Sequence, residues 1–220
     1  MNISTKLLKA AAGQAGAGLD IDEVFNTHLY NGNGTDDRAI INGIDLSGEG
    51  GLVWIKNRDF AFDHLIGDTE RGIKKGIRSN TTAAENNFSD RIKTVTSTGF
   101  TLGTADEINS SNTGYTGSTM SYVAWTFRKA PKFFDIVTYT GNGTAGRTIS
   151  HNLGSTPGMI LVKKTNGSVS WNVFHRSLGA TKVIFLNTTD QALTQTSRWN
   201  DTEPTSTQFT VGTAGGTNDN

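Results

Sequence analysis

Gly51-Leu-Val-Trp-Ile-Lys56 and Gly158-Met-Ile-Leu-Val-Lys163 stand 107 positions apart, each a short apolar run opened by glycine and closed by lysine. Four apolar residues between turn residues is the pattern of a strand covered on both faces. Around this pair the chain repeats itself. Tyr30-Asn-Gly-Asn-Gly-Thr35 returns as Tyr139-Thr-Gly-Asn-Gly-Thr144, Gly72 as Gly179, Asn80-Thr-Thr82 as Asn187-Thr-Thr189, and Phe100-Thr-Leu-Gly-Thr104 as Phe209-Thr-Val-Gly-Thr213. The offset is 107 for the inner anchors and 109 for the outer ones. A fixed internal period outranks any local motif, and a unit of roughly a hundred residues is long enough to enclose its own core, unlike solenoid units of about 20–50 residues that must stack. The sequence therefore predicts two tandem related domains, residues 25–130 and 131–220, after an N-terminal arm of residues 1–24.

The body of each copy reads as strands. Tyr122-Val-Ala-Trp-Thr-Phe127 alternates, with Val123, Trp125 and Phe127 on the face expected to be buried and Tyr122, Ala124 and Thr126 on the other. Val183-Ile-Phe-Leu186 matches the stretch from Ile73 to Ile77, which carries more charge. Asn33-Gly34 and Asn142-Gly143 signal turns, because both residue types tolerate positive φ. With 26 Gly, only 3 Pro, 35% hydrophobic residues and many short strands at roughly ten-residue spacing, the expected fold class is all-β, a pair of β-sandwich or jelly-roll domains.

The second copy stops short. The counterpart of Tyr122–Phe127 would fall beyond Asn220, so the second domain is expected to lack its closing strand. An open sandwich exposes unpaired backbone and apolar faces. A longer chain, a strand donated by a neighbouring subunit, or a different closure would each resolve this.

Composition narrows the function. Twenty Lys and Arg balance twenty Asp and Glu, which leaves no electrostatic footprint for nucleic acid or an anionic membrane. Without cysteine there is no disulfide framework, zinc–thiolate site or thiol nucleophile. No segment reaches the roughly 18–20 apolar residues of a membrane helix. The N-terminal stretch, with Leu7 and Leu8 broken by Lys9 and then a glycine-rich run to Gly18, is too short and polar for a signal-peptide core. It reads as a free tail or as a docking arm in which Leu7, Leu8 and Lys9 make the contacts.

The repeat also serves as an internal control on candidate sites. His64, Asp68, Glu70 and Arg71 form a polar cluster that could supply the acid and base of glycoside hydrolysis. The corresponding residues of the second copy are Trp171, His175, Ser177 and Leu178, so the cluster is not part of the shared scaffold and is expected to be a solvated loop with an ion pair. The four histidines are scattered and show no ligand spacing, while Asp36, Asp37 and Asp45 are a weaker candidate for calcium. The sequence implies no cofactor. The sequons at Asn33, Asn80, Asn142 and Asn187 reflect composition, and Asn80 and Asn187 are expected to cap turns. Trp171, Trp199 and Tyr115, set among polar residues, are the candidate carbohydrate contacts, with plugs at the sandwich edge as the alternative for the two tryptophans and core positions expected for Trp54 and Trp125.

Asn42-Gly-Ile-Asp-Leu-Ser-Gly-Glu-Gly-Gly-Leu-Val-Trp-Ile-Lys-Asn-Arg58, Asp68-Thr-Glu-Arg-Gly72, Ser79-Asn-Thr-Thr82, Gly99-Phe-Thr-Leu-Gly103 and Tyr122-Val-Ala-Trp-Thr126 together resemble a repeat domain of virion structural proteins of tailed phages, especially marine ones. The stretch from Val137 to Thr213 resembles the next copy. The resemblance implies a concanavalin-like or jelly-roll sandwich on a tail fibre, tail-associated or head-decorating protein, located on the virion and built as a homo-oligomer, with a trimer in keeping. It brings no catalytic residues. A non-enzymatic structural protein docked through its arm to other virion proteins is therefore the expectation. A host-glycan-binding module and a glycan-cleaving tail enzyme are the alternatives.

Overall fold

The structure, a computed structural model, describes residues 19–112 and 119–219. Fifteen strands and only short helical turns make the described chain all-β. After a 3-10 turn at Ile21–Glu23, the first repeat holds β1 (Phe25–Asn31), β2 (Arg38–Ile41), β3 (Gly51–Asn57), β4 (Leu65–Asp68), β5 (Lys75–Arg78), β6 (Asn86–Asn87), β7 (Ile92–Thr96), β8 (Gly99–Leu102), the helical turn α1 (Asp106–Asn109) and β9 (Ser121–Arg128). The second holds β10 (Arg147–Ser150), β11 (Met159–Val162), β12 (Asn172–His175), β13 (Lys182–Phe185), β14 (Leu193–Thr194), α2 (Thr196–Trp199), β15 (Gln208–Val211) and α3 (Gly215–Asn218).

In the first repeat a six-stranded antiparallel sheet, ordered β1-β9-β3-β4-β5-β6, faces a three-stranded sheet, β2-β8-β7. Their inner faces share one core, with Val53, Ile55, Leu65, Tyr122 and Ala124 from the large sheet and Ile40, Ile92, Phe100 and Leu102 from the small one. Each of the valine, leucine, isoleucine and phenylalanine side chains, fully removed from water, contributes roughly 1.5–3 kcal/mol. The second repeat copies the plan with β11-β12-β13-β14 over β10-β15, around Ile149, Val162, Phe174, Val183, Trp199, Phe209 and Val211. The all-β reading holds, and β10 to β15 repeat the order of β2 to β6 and β8, with no counterpart of β7 among the described residues.

Two expectations change. The alternation in β9 is real, but Tyr122, Ala124 and Thr126 face the core, each 0% exposed, whereas Trp125 and Phe127 lie on the outer face. The sandwich interior takes the Tyr122 face of the strand, where its ring stacks on Tyr30. On the outer face Phe127 packs with its cross-strand neighbour Phe25 and with Phe133 and Phe134, and Trp125 lies beside its cross-strand neighbour Trp54 at 5.7 Å. Trp54 and Trp125 therefore do not belong to the sandwich core. The second change extends the missing closing strand: among the described residues the second repeat has no counterpart of β9 and none of β1 either. β1 pairs only with β9, along its whole length from Phe25↔Phe127 to Asn31↔Ser121. Without such a partner the equivalent stretch, residues 135–140, forms no ladder, and the outer edge of β11 is unpaired.

Candidate functional site

The polar groups shared by both copies hold backbone. Asn109, fully buried on α1, donates to the carbonyls of Thr35 (2.9 Å) and Gly103 (2.8 Å), and its Oδ1 accepts from the Asn33 amide (3.0 Å) and Arg38 Nη1 (2.9 Å). Asn218 repeats this with Thr144 and Gly212 at 2.8 Å each and the Asn142 amide at 3.0 Å. Neither asparagine stood out in the sequence, although their common offset of 109 was there to read. Tyr30 donates to the Ile108 carbonyl (2.8 Å) and Tyr139 to that of Thr217 (2.6 Å), each beneath an arginine, Arg38 or Arg147. Burial raises the pKa of both phenols, that of Tyr139 to about 12.

The Asn-Gly turns form as expected. Asn33 and Asn142 accept from the amides of Thr35 and Thr144, and the positive φ falls on the glycines alone, 66° at both Gly34 and Gly143. At Gly32 and Gly141 a Cβ would collide with the Ser110 and Asp219 carbonyls, which fixes glycine there. Asn80 and Asn187 do not cap their own turns. They reach across to accept from the amides of His64 (2.9 Å) and Trp171 (2.8 Å), clamping the entry to the next strand, while Thr81 and Thr188 make the local turn bonds.

The carboxylate cluster is an ion-pair network. Asp68, 3% exposed, accepts from Arg71 at 2.6 Å, and Arg71 bridges to Glu85 at 2.6 Å. Glu70 turns to Lys129 (2.5 Å), and burial lowers the pKa of His64. The expected ion pair is present, but Asp68 is buried rather than solvated. Asp36 and Asp37 share Lys93, while Asp45 accepts from Ser47 in its own loop; no group of three metal-binding side chains occurs among the described residues.

The tryptophans give a correction. Trp199 is 1% exposed in the second core, edge-on to Phe174, and Trp171 is 5% exposed, so neither offers a face to a sugar. Tyr115 and the arm residues Leu7, Leu8 and Lys9 lie outside the described residues. Trp171 plugs the junction of the two repeats rather than an edge of its own sandwich. It packs with Ile66 and Ile77 of the first repeat, beside Leu52, Trp54 and Leu161, and its indole donates to the Arg78 carbonyl at 2.8 Å. The Glu85 amide donates to Thr165 (2.8 Å), and Lys163 reaches the Thr82 carbonyl (3.2 Å), its pKa pushed down to about 8 by burial and by the charge of Lys164.

Beside this junction is a cavity of about 440 Å³ lined by Thr82, Ser168, Ser170, Phe185, Arg198 and Gly216 among others. Half-buried Arg198 lies 5.7 Å from the Phe185 ring centroid and donates through Nε to Gln195 (2.8 Å). Behind it, fully buried Asn172 donates to the carbonyls of Ser170 (3.0 Å) and Gly216 (3.1 Å), fixing that wall. No motif in the sequence marks this place.

Fold and site define an all-β protein of two repeats locked by a buried tryptophan, with a cationic cavity at their seam. The chain belongs to the family described as "Domain of unknown function (DUF7483)", whose model matches residues 20–220 and so spans both repeats. A search of curated proteins finds no match, and a search of solved structures finds none.

Proposed function

We propose that the chain is a non-enzymatic structural protein of a tailed-phage particle, attached through its N-terminal arm and presenting its two repeats outward. The observation that carries this reading is what the duplication retains. Asn109 and Asn218, Tyr30 and Tyr139, and Asn80 and Asn187 all bind backbone, whereas the one acidic cluster suited to hydrolysis is limited to the first copy and neutralised by Arg71 and Lys129. The resemblance of the repeated motifs to virion proteins supplies the setting. Mass spectrometry of gradient-purified particles from a phage encoding the chain should recover its peptides at a fixed ratio to other particle proteins. Their confinement to the soluble lysate would refute the assignment. Deleting residues 1–18 should abolish incorporation, and unchanged incorporation would remove the arm's docking role.

A further inference from the structure

The two repeats solve one position in opposite ways. In the first, Arg91 holds the buried Glu107 carboxylate through Nε and Nη2, both 2.9 Å from Oε2, and Arg78 reaches the same oxygen at 3.3 Å and Asp63 at 3.0 Å. The equivalences are fixed by shared backbone bonds. Gly103 donates to the Arg91 carbonyl as Gly212 does to that of Arg198, and Asn109 and Asn218 end the two helical turns alike. Glu107 therefore corresponds to Gly216, Asp106 to Gly215, Asp63 to Ser170 and Arg78 to Phe185, while arginine stands at the remaining position in both, Arg91 and Arg198.

The second repeat has lost every acid of the cluster and kept the guanidinium. Among the described residues Arg198 forms no ion pair with a carboxylate; it closes over Gly216, where the first repeat has Glu107, and borders the cavity of about 440 Å³. That volume is within the roughly 300–1,000 Å³ of small-molecule sites. A half-buried guanidinium without a counter-charge favours an anion, and its planar fork suits a carboxylate. The first repeat shows the group that this arginine position takes. The remainder of the lining, Thr82, Ser168 and Ser170 with Val169, Phe185 and two glycines, suits a body that carries hydroxyl groups and an apolar face.

We propose that the cavity at the seam binds a sugar carboxylate, a uronic-acid type of residue, whose carboxylate meets the Nη edge of Arg198, the Nε being held by Gln195. The site is separate from the tryptophans considered above, and its existence does not depend on the particle assignment.

Titration calorimetry on the full chain tests this with glucuronate, glucose, acetate, inorganic phosphate and N-acetylglutamate amide. Glucuronate should bind and glucose should not. Arg198→Gln should weaken glucuronate about tenfold or more, the scale of one charge-assisted contact. Ser170→Asp, which returns an acid where the first repeat has Asp63, should weaken it as well. Thermal melts of both variants within a few degrees of the parent show that the fold is kept. Equal binding of glucose, binding unchanged in Arg198→Gln, or no binding of glucuronate would overturn the proposal. Acetate, phosphate or N-acetylglutamate amide binding as tightly as glucuronate would overturn the sugar assignment.

Discussion

Replacing Trp171 with alanine should uncouple the two repeats. The indole is 5% exposed, is wedged against Ile66 and Ile77 of the other repeat, and donates to the Arg78 carbonyl at 2.8 Å. Truncating a buried tryptophan costs about 3–5 kcal/mol, of which the hydrogen bond is about 1 kcal/mol. Trp171→Phe, which keeps most of the packing, should cost about 1–2 kcal/mol by the same reasoning. The loss falls on the contact between repeats and spares both cores, so it should change cooperativity more than core stability. Calorimetry should show one transition for the parent and two for Trp171→Ala. The second repeat should melt first, because among the described residues its core cluster holds 8 buried residues against 14 in the first. At roughly 2–4 °C per kcal/mol for a chain of this size, its midpoint should drop by about 6–20 °C. Hydrogen exchange should locate the lost protection in β4 and β5 as well as in β12. A single transition displaced by less than about 1 kcal/mol would refute the view that this side chain joins the repeats.

Removing the shared clamp should be costly in either repeat: Asn109→Ala and Asn218→Ala each strand one buried carbonyl, that of Gly103 or Gly212, and lose the bond to the exposed Thr35 or Thr144, and urea titration should show about 1–3 kcal/mol lost, with Asn109, which also holds Arg38, at the upper end. Glu107→Gln should destabilise by about 1–3 kcal/mol, because it weakens the pairing of Arg78 and Arg91, whereas Arg198→Gln, which loses one bond to Gln195 and no ion pair, should cost about 1 kcal/mol or less, and an equal cost for the two would contradict an Arg198 without a carboxylate partner. The Tyr139 phenol has its folded pKa raised by burial to about 12, against about 10 when unfolded, so its stabilisation is complete below pH ~10 and is lost as pH rises towards 12. Tyr139→Phe should lower stability by about 1 kcal/mol at neutral pH and flatten the alkaline loss of the second repeat, which urea midpoints taken between roughly pH 9 and 11.5 would reveal.

The duplication and the all-β class were legible because both rest on local signals: glycine-bounded apolar runs, Asn-Gly turns, and anchors in constant register. What the sequence hid is set by tertiary context. The period-2 alternation of β9 gives two faces but not which of them meets the smaller sheet, and the aromatic face proved to be the outer one. Trp171, aligned with His64, looked like an exposed ring in a polar loop because its apolar partners Ile66 and Ile77 lie about a hundred residues earlier. The cavity was hidden for the opposite reason. Its signature is the absence of Glu107 and Asp63 equivalents around a retained arginine, which becomes meaningful only once the structure shows that those acids touch Arg91 and Arg78.

The strand content of the two repeats shows how far secondary structure here depends on neighbours. Residues 135–140 occupy the position of β1 and keep its key side chain, since Tyr139 makes the same kind of hydroxyl-to-carbonyl bond as Tyr30. They nevertheless form no ladder, while β1 forms a full one. The difference is the strand beside them. β9 satisfies the backbone of β1 on one side and that of β3 on the other, and its Tyr122 ring stacks on Tyr30 at 5.2 Å. Without that partner the tyrosine and the Asn-Gly loop still anchor the segment to the core, but its amides and carbonyls find no sheet. The side-chain clamp and the sheet ladder are thus separable layers of this fold. The clamp is common to both copies, and the ladder follows whichever strand lies alongside. The exposed Val137 and Met159, 36% and 56% accessible, mark the apolar surface that β9 and its neighbours cover in the first repeat. Among the described residues the second repeat packs through its own core and through Trp171 at the junction.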